Sequence, residues 1–229
     1  MLHPVFSRGL ILGSLLLLGG CPTSTPPVAE APPASTTTPS PTVTPSSSPS
    51  TTPSPTSREI SATAIGAARL GMTLGDLKRA LPGATFEVKS PFMVDFDAIA
   101  VSQDNATQFY ILYLAGDTFE DTDTVQGLLT DNSSFRTDQG VGPGSSIADA
   151  EGAYGNATLS YNTENESREY VRFENHPSPN LAFYTGTGSE AGVYPEQESS
   201  FHETQDYRPE ATIKSVMVIC LREGCAAPQ

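Results

Sequence analysis

Tryptophan is absent from the 229-residue chain, and histidine and cysteine occur three times each. So small a supply of imidazole and thiol leaves little for a zinc centre. Past His3 there remain only His176, beside Pro177, and His202, before Glu203, both in loop-like sequence with no His-x-x-x-His spacing. Basic residues are also scarce, 12 Lys+Arg against 26 Asp+Glu, for a net charge of -14. A surface this acidic repels phosphate, which excludes nucleic acid as a partner. No Gly-x-Ser-x-Gly elbow occurs; "GPGSSIAD" is better explained by helix capping, and "GVGPG" (140–144) lacks the Lys of a phosphate loop. Long apolar runs are missing too. The one candidate, Leu10 to Leu18, falls short of the roughly 20 residues a membrane span needs.

What the N-terminus does have is one Arg (Arg8), that short apolar run and two glycines before Cys21. This is the pattern of a secretory signal peptide over residues 1–20. Leu18-Gly19-Gly20-Cys21 resembles the lipobox of bacterial lipoproteins, an aliphatic residue at -3 and small residues before an invariant cysteine. The resemblance implies that Cys21 becomes the first mature residue and carries the lipid that holds the protein to a membrane. Position +2 is Pro22. The Asp that keeps such proteins in the inner membrane of some enterobacteria is not there, which implies an outer-membrane or cell-surface address. Taken whole, the chain is similar to uncharacterised lipoproteins of the cyanobacterial type, a likeness that brings no function with it.

From Pro22 to Ser57, 30 of 36 residues are Pro, Ser or Thr, the others being Val28, Ala29, Glu30, Ala31, Ala34 and Val43. A stretch without large side chains cannot offset the entropy of ordering, so residues 21–57 read as a lipidated, disordered tether. Fully extended it would reach about 110 Å at about 3.1 Å per residue. Removing Arg8 and Glu30 from the totals leaves 11 Lys+Arg and 25 Asp+Glu in 58–229, so the whole net charge sits on the folded part. Asn105, Asn132, Asn156 and Asn165 lie in Asn-x-Ser/Thr sequons, incidental behind a lipobox. With Cys21 given to lipid, Cys220 and Cys225 remain, an even pair with four residues between them. In an oxidising compartment a small disulfide loop is the expected state, with free thiols the alternative.

The folded region contains an internal repeat at an offset of 73. "LGMTLGDLKRALPGATF" (70–86) aligns without gaps on "PGSSIADAEGAYGNATL" (143–159), with identities at Gly71/Gly144, Asp76/Asp149, Ala80/Ala153, Ala84/Ala157 and Thr85/Thr158. Thr73 and Ser146 are N-cap residues, each with an acid three positions on that can complete a capping box. Leu74, Leu77 and Leu81, and Ile147, Ala150 and Tyr154, give apolar stripes at helical spacing, so each copy begins with a helix of about two turns. The period then changes to two. "TFEVKS", "DAIAVSQ" and "QFYILYLA" follow the first helix, "ATLSYNT", "EYVRFEN" and "NLAFYTG" the second, and "IKSVMVIC" (213–220) is a strand that ends the sheet. "DTVQGLL", in the bridge, reads as a further short helix.

The fold class expected is α+β: two tandem helix-then-antiparallel-strands repeats, about 65–135 and 138–220, packed as one domain with helices on one face of the sheet. With Gly71-Met72-Thr73 and Gly144-Ser145-Ser146 starting the helices, this resembles the tandem fold of the secreted β-lactamase inhibitory protein and of small outer-membrane-assembly lipoproteins. No inhibitory or assembly residue carries over, because no motif is specific enough to map.

Two features invite chemistry. "GDTFEDTDT" gathers Asp117, Glu120, Asp121 and Asp123, oxygen ligands suited to a hard cation, although the spacing departs from Asp-x-Asp-x-Asp-Gly and a solvated, helix-starting acidic turn is the far commoner use of such a sequence. The segment 174–210 interleaves Phe183, Tyr184, Tyr194, Phe201 and Tyr207 with Gly, Pro and acids, and "PFMVDF" (91–96) is a second stretch of this kind. Such aromatics either plug sheet edges or form a contact surface, with Tyr184, Tyr194, Phe201 and Tyr207 the candidate partner contacts. The function expected is a lipid-anchored, non-enzymatic envelope protein that binds another protein and needs no cofactor. A carboxylate-using hydrolase or carbohydrate-active protein, and a cation-binding module, are the alternatives.

Overall fold

The structure, a computed structural model, describes residues 57–220. The leader, Cys21, nearly all of the tether and Cys225 lie outside the described residues.

Three two-residue strands come first, β1 (Ile60–Ser61), β2 (Ala64–Ile65) and β3 (Ala68–Arg69), paired as a small antiparallel sheet. Helix α1 (Leu74–Ala80) follows, then β4 (Thr85–Lys89), β5 (Phe96–Gln103), β6 (Ala106–Leu114) and β7 (Gly127–Thr130). Helix α2 (Ile147–Tyr154) opens the second half. It leads to β8 (Ala157–Asn162), β9 (Arg168–Phe173), β10 (Leu181–Thr187), β11 (Phe201–Thr204) and β12 (Ser215–Ile219). The last nine strands form one antiparallel sheet in the order β11-β8-β9-β10-β12-β7-β6-β5-β4.

This overturns the expected α+β class. The chain is mostly β: twelve strands among the described residues in two antiparallel sheets, with helices of only seven and eight residues. The capped helix starts are real but local. Thr73 Oγ1 accepts from the Asp76 amide at 3.1 Å and Ser146 Oγ from the Asp149 amide at 3.0 Å. The 73-residue offset also recurs in the backbone. Gly71 N donates to Val125 O (2.8 Å) and Leu74 N to Asp123 O (3.0 Å), while Gly144 N donates to Ile213 O (2.7 Å) and Ile147 N to Ala211 O (3.0 Å). Gly71 and Gly144 hold φ of 85° and 86°, a region that favours glycine. Yet the strands that follow do not close as separate helix–strand units. β7 and β12 pair with each other, Val218 opposite Leu128, and join the nine strands from β4 onward into one sheet.

Two element readings are corrected with it. "DTVQGLL" is not a helix; its second half is β7, because Leu128 and Leu129 face opposite sides of the sheet and each is buried in a different cluster. An apolar run buried on both faces shows no period by which to tell strand from helix. β12 does not end the sheet either, but lies near its middle, between β10 and β7.

The larger core lies on one face. Ile99, Val101, Phe109, Ile111, Leu128, Val171, Phe183, Val216 and Val218 pack there against Leu74 and Leu77 of α1 and Ile147, Ala150 and Tyr154 of α2. The opposite face carries a second, smaller cluster.

Candidate functional site

On that second face Ala98, Leu112, Leu129 and Met217, from four neighbouring strands, form a buried apolar cluster. What covers it is the connection 90–95 between β4 and β5, together with side chains of the sheet itself. Phe92 and Met93 pack on the cluster alongside Phe96, Tyr110, Ala182 and Ile219, and the Phe92 and Tyr110 rings sit 4.9 Å apart. Val94, next along, is 68% exposed.

The cluster is bordered by polar residues of β9 and β10. Because Val171 and Phe183 face the main core, Tyr170 and Tyr184 point to the second face, their rings edge-on at 5.9 Å. The Tyr184 hydroxyl lies 3.1 Å from Thr187 Oγ1. Burial pushes the Tyr170 hydroxyl above its ordinary pKa, while the charge of Arg168 draws it back. Arg168 is 14% exposed. It forms an ion pair with Glu166, donates through Nη1 to Met93 Sδ at 3.4 Å, and stands 3.7 Å from Asp95. Its Nε is buried and has no hydrogen-bond partner.

At the end of the sheet where β6 stops and β7 starts, a pocket of 490 Å³ opens between Phe96, Leu114, Phe119 and Ile219. The Tyr113 and Phe119 rings stack at 5.3 Å beside it. Cys220 is in its wall, and Cys220 N donates to Gln126 O at 2.9 Å.

No family model matches this chain, and no curated protein matches it. A solved structure that is similar is the crystal structure of the uncharacterized protein YfeY from Escherichia coli, 13% identical with a TM-score of 0.43, over 71% of this chain and 99% of that one.

The four candidate contact aromatics do not come together. Tyr184 shares the second face with Phe201, 50% exposed, but three strand positions separate them, Phe201 standing on edge strand β11. Tyr194 and Tyr207 do structural work. The Tyr194 hydroxyl donates to Glu169 Oε1 at 2.9 Å, and the Tyr207 hydroxyl to Glu151 Oε2 at 2.8 Å. Burial, reinforced by the neighbouring carboxylate in each case, pushes both hydroxyls up, Tyr207 to about 12.

The acidic cluster is likewise occupied in holding the fold. Asp121 pairs with Lys78 at 2.6 Å, Asp123 Oδ2 accepts from the Glu120 amide at 2.6 Å, and the Asp121 and Asp123 carbonyls receive the first amides of α1. The Asp117 amide donates to Leu114 O, closing the turn after β6. Among the described residues no three metal-ligating side chains converge. Cys225, the other half of the disulfide expected with Cys220, lies outside the described residues.

Sequence reasoning singled out "PFMVDF", which supplies the cover of the second face, but missed Arg168, Tyr170 and Glu169. The alternation in "REYVRF" places Arg168 and Tyr170 on the face opposite Glu169 and Val171. That pattern was the available signal.

His176 yields a pH-dependent expectation. Its Nε2 lies 3.0 Å from Leu181 O, and the Phe173 amide approaches Nδ1 at 3.5 Å, which fits a neutral ring protonated at Nε2. Burial holds its pKa below the usual imidazole value despite the Leu181 carbonyl, which favours the cation; Arg172 adds to the depression. A depressed pKa means the fold prefers neutral imidazole, so this stability is present above about pH 6.5 and is lost as pH falls through the folded-state value. Urea midpoints followed from pH 7.5 to 4.5 should fall more steeply for the native chain than for His176→Gln. Parallel curves would defeat the expectation.

Proposed function

We propose that this chain is a lipid-anchored, non-enzymatic envelope protein whose domain binds another protein through the second face of its large sheet. One observation carries the reading. Four strands contribute Ala98, Leu112, Leu129 and Met217 to an apolar cluster whose loop cover is the side chains of Phe92 and Met93, under an exposed Val94. A connection that lays two large, half-buried apolar side chains across a sheet face marks a surface suited to apolar contact. Tyr170, Tyr184 and Arg168 beside it are residue types that anchor protein interfaces.

The lipobox-like Leu18-Gly19-Gly20-Cys21 supports anchoring to a membrane, with the tether giving the domain reach. Several acyl chains make such an anchor stable where one does not. An address on the periplasmic face of the outer membrane, or on the cell surface, follows from the same motif. Among the described residues no helix is long and apolar enough to cross a membrane.

The test is a photo-crosslinking amino acid at Val94 in the lipidated protein, irradiated in its own envelope. One protein adduct, lost on Cys21→Ser as the chain leaves the membrane fraction, is the expected result. Adducts to lipid only, or none, would overturn the protein-binding reading, and unchanged partitioning of Cys21→Ser would overturn the anchor.

A further inference from the structure

The connection 90–95 reaches unusually far for six residues. It starts and ends at the β4–β5 hairpin, yet Met93 meets Arg168 of β9, and β9 stands five positions from β5 in the sheet order. At about 4.8 Å per strand a flat sheet would place them roughly 24 Å apart. Twist of the sheet shortens that span and the long Met93 and Arg168 side chains cover the rest, so 90–95 lies as a strap along a shallow groove across the second face.

The attachment of this strap is thin. Its backbone bonds run to its own root, Met93 N to Phe96 O at 2.8 Å and Ala115 N to Asp95 O at 3.0 Å. Deeper in the groove it is held by side chains: Phe92 against Tyr110, Met93 on the apolar cluster, and Asp95 at 3.7 Å from Arg168. The last contact is incomplete. Arg168 is mostly buried, but its Nε has no partner, and Asp95 stands too far off for a short charge-assisted bond. A guanidinium presents a fork that a carboxylate can engage through two parallel N–H bonds. Glu166 already engages Nη2, so the donor left in the groove for an incoming carboxylate is Nε.

We propose that the strap is an internal occupant of a peptide groove, and that the partner is an extended segment of another protein bearing an aromatic residue, an aliphatic or Met residue, any residue, then an acid. The aromatic takes the place of Phe92 on Tyr110, the next side chain that of Met93 on Leu112, Leu129 and Met217, and the carboxylate engages Arg168. The strap, tethered in cis, keeps the groove filled and lowers the apparent affinity of any competitor by the fraction of time it is open. This deepens the protein-binding reading and rests on it.

The probe is the synthetic peptide Ser-Pro-Phe-Met-Val-Asp-Phe, the chain's own residues 90–96, offered to the full-length protein in detergent. Wild type should bind it weakly. Phe92→Ser/Met93→Ser, which empties the groove, should bind it about tenfold or more tightly as the open fraction rises. Arg168→Gln, or Asn for Asp in the probe, should cancel that gain. A folded double variant that binds no better than wild type, or that takes the Asn probe equally well, overturns the proposal. Should the double variant not fold, Phe92→Trp serves instead, since the chain has no tryptophan of its own and position 92 packs against Tyr110. Its emission should shift to longer wavelength when saturating probe displaces the strap, and unchanged emission overturns the proposal. Strap exchange between two copies, seen as a stable dimer, assigns the groove to self-association and overturns it as well. A probe that binds while Val94 gives no protein crosslink defeats the functional reading alone. A crosslinked partner with a silent probe defeats this inference alone.

Discussion

Glu169→Ala is expected to destabilise the domain by about 3–5 kcal/mol, more than any single surface change. The residue is fully buried, and its two oxygens accept four hydrogen bonds. These come from the Ala191 and Gly192 amides at 2.8 Å each, the Tyr194 hydroxyl at 2.9 Å and the Thr185 hydroxyl at 3.0 Å. Truncation leaves the two amides and the Tyr194 hydroxyl without this acceptor, while Thr185 keeps the Glu169 carbonyl at 3.2 Å, and each buried unsatisfied group costs about 1–3 kcal/mol before relaxation. For a domain of this size about 2–4 °C is lost per kcal/mol, so the melting temperature should fall by about 10 °C. Tyr194→Phe, which removes one donor and leaves the carboxylate three, should cost only about 1 kcal/mol. Thermal melts of the two variants decide it. A Glu169→Ala change no larger than that of Tyr194→Phe would mean that water satisfies the donors and the carboxylate is not the pin of segment 188–194.

That network was not readable in the chain, for a physical reason. Alternation in "REYVRF" sets Glu169 on the side of Val171, but nothing local among 26 acids tells which donors meet it there. Its donors lie 16 to 25 residues away, brought in by a register shift between Tyr184 and Gly186 where β10 pairs with β9. The aromatics of 174–210 could be read as edge plugs or as contacts, and both occur. Tyr194 and Tyr207 are held by Glu169 and Glu151, while Phe201 stays exposed on β11. Which is which depends on where the carboxylates fold to. Arg168 raises the same difficulty, since its meaning comes from a strap 75 residues earlier in the chain.

Local signals fared better. Thr73 and Ser146 cap helices because the cap, the acid at +3 and the apolar stripe are all set within one turn. Seven expected strands formed where period-two alternation ran for five residues or more, and the Asp104–Asn105 turn between β5 and β6 has positive φ at both residues, as a tight hairpin requires. The fold class went wrong because it was inferred from how the chain starts each half rather than from how strands pair. Pairing of β7 with β12 joins residues almost ninety apart, and no local pattern encodes it.

Phe183→Ala is the second large effect, about 3–5 kcal/mol for a fully buried aromatic. It also discriminates between causes. The Phe183 ring lies 6.2 Å from Tyr154 of α2, 5.8 Å from Phe173 of β9 and 5.4 Å from His176, edge-on to the last two. Removing it loosens three elements at once and opens a cavity beside the imidazole. Since burial is the main cause of the depressed His176 pKa, water admitted there should return the pKa toward its ordinary value. The variant should therefore be less stable at pH 7.5 yet show a shallower acid decline than the native chain, approaching His176→Gln in slope. Phe183→Leu, which keeps much of the volume, should cost less and leave the slope nearly native. A Phe183→Ala protein that loses stability but keeps the native acid slope would mean that the charge of Arg172, and not burial, governs the titration of His176.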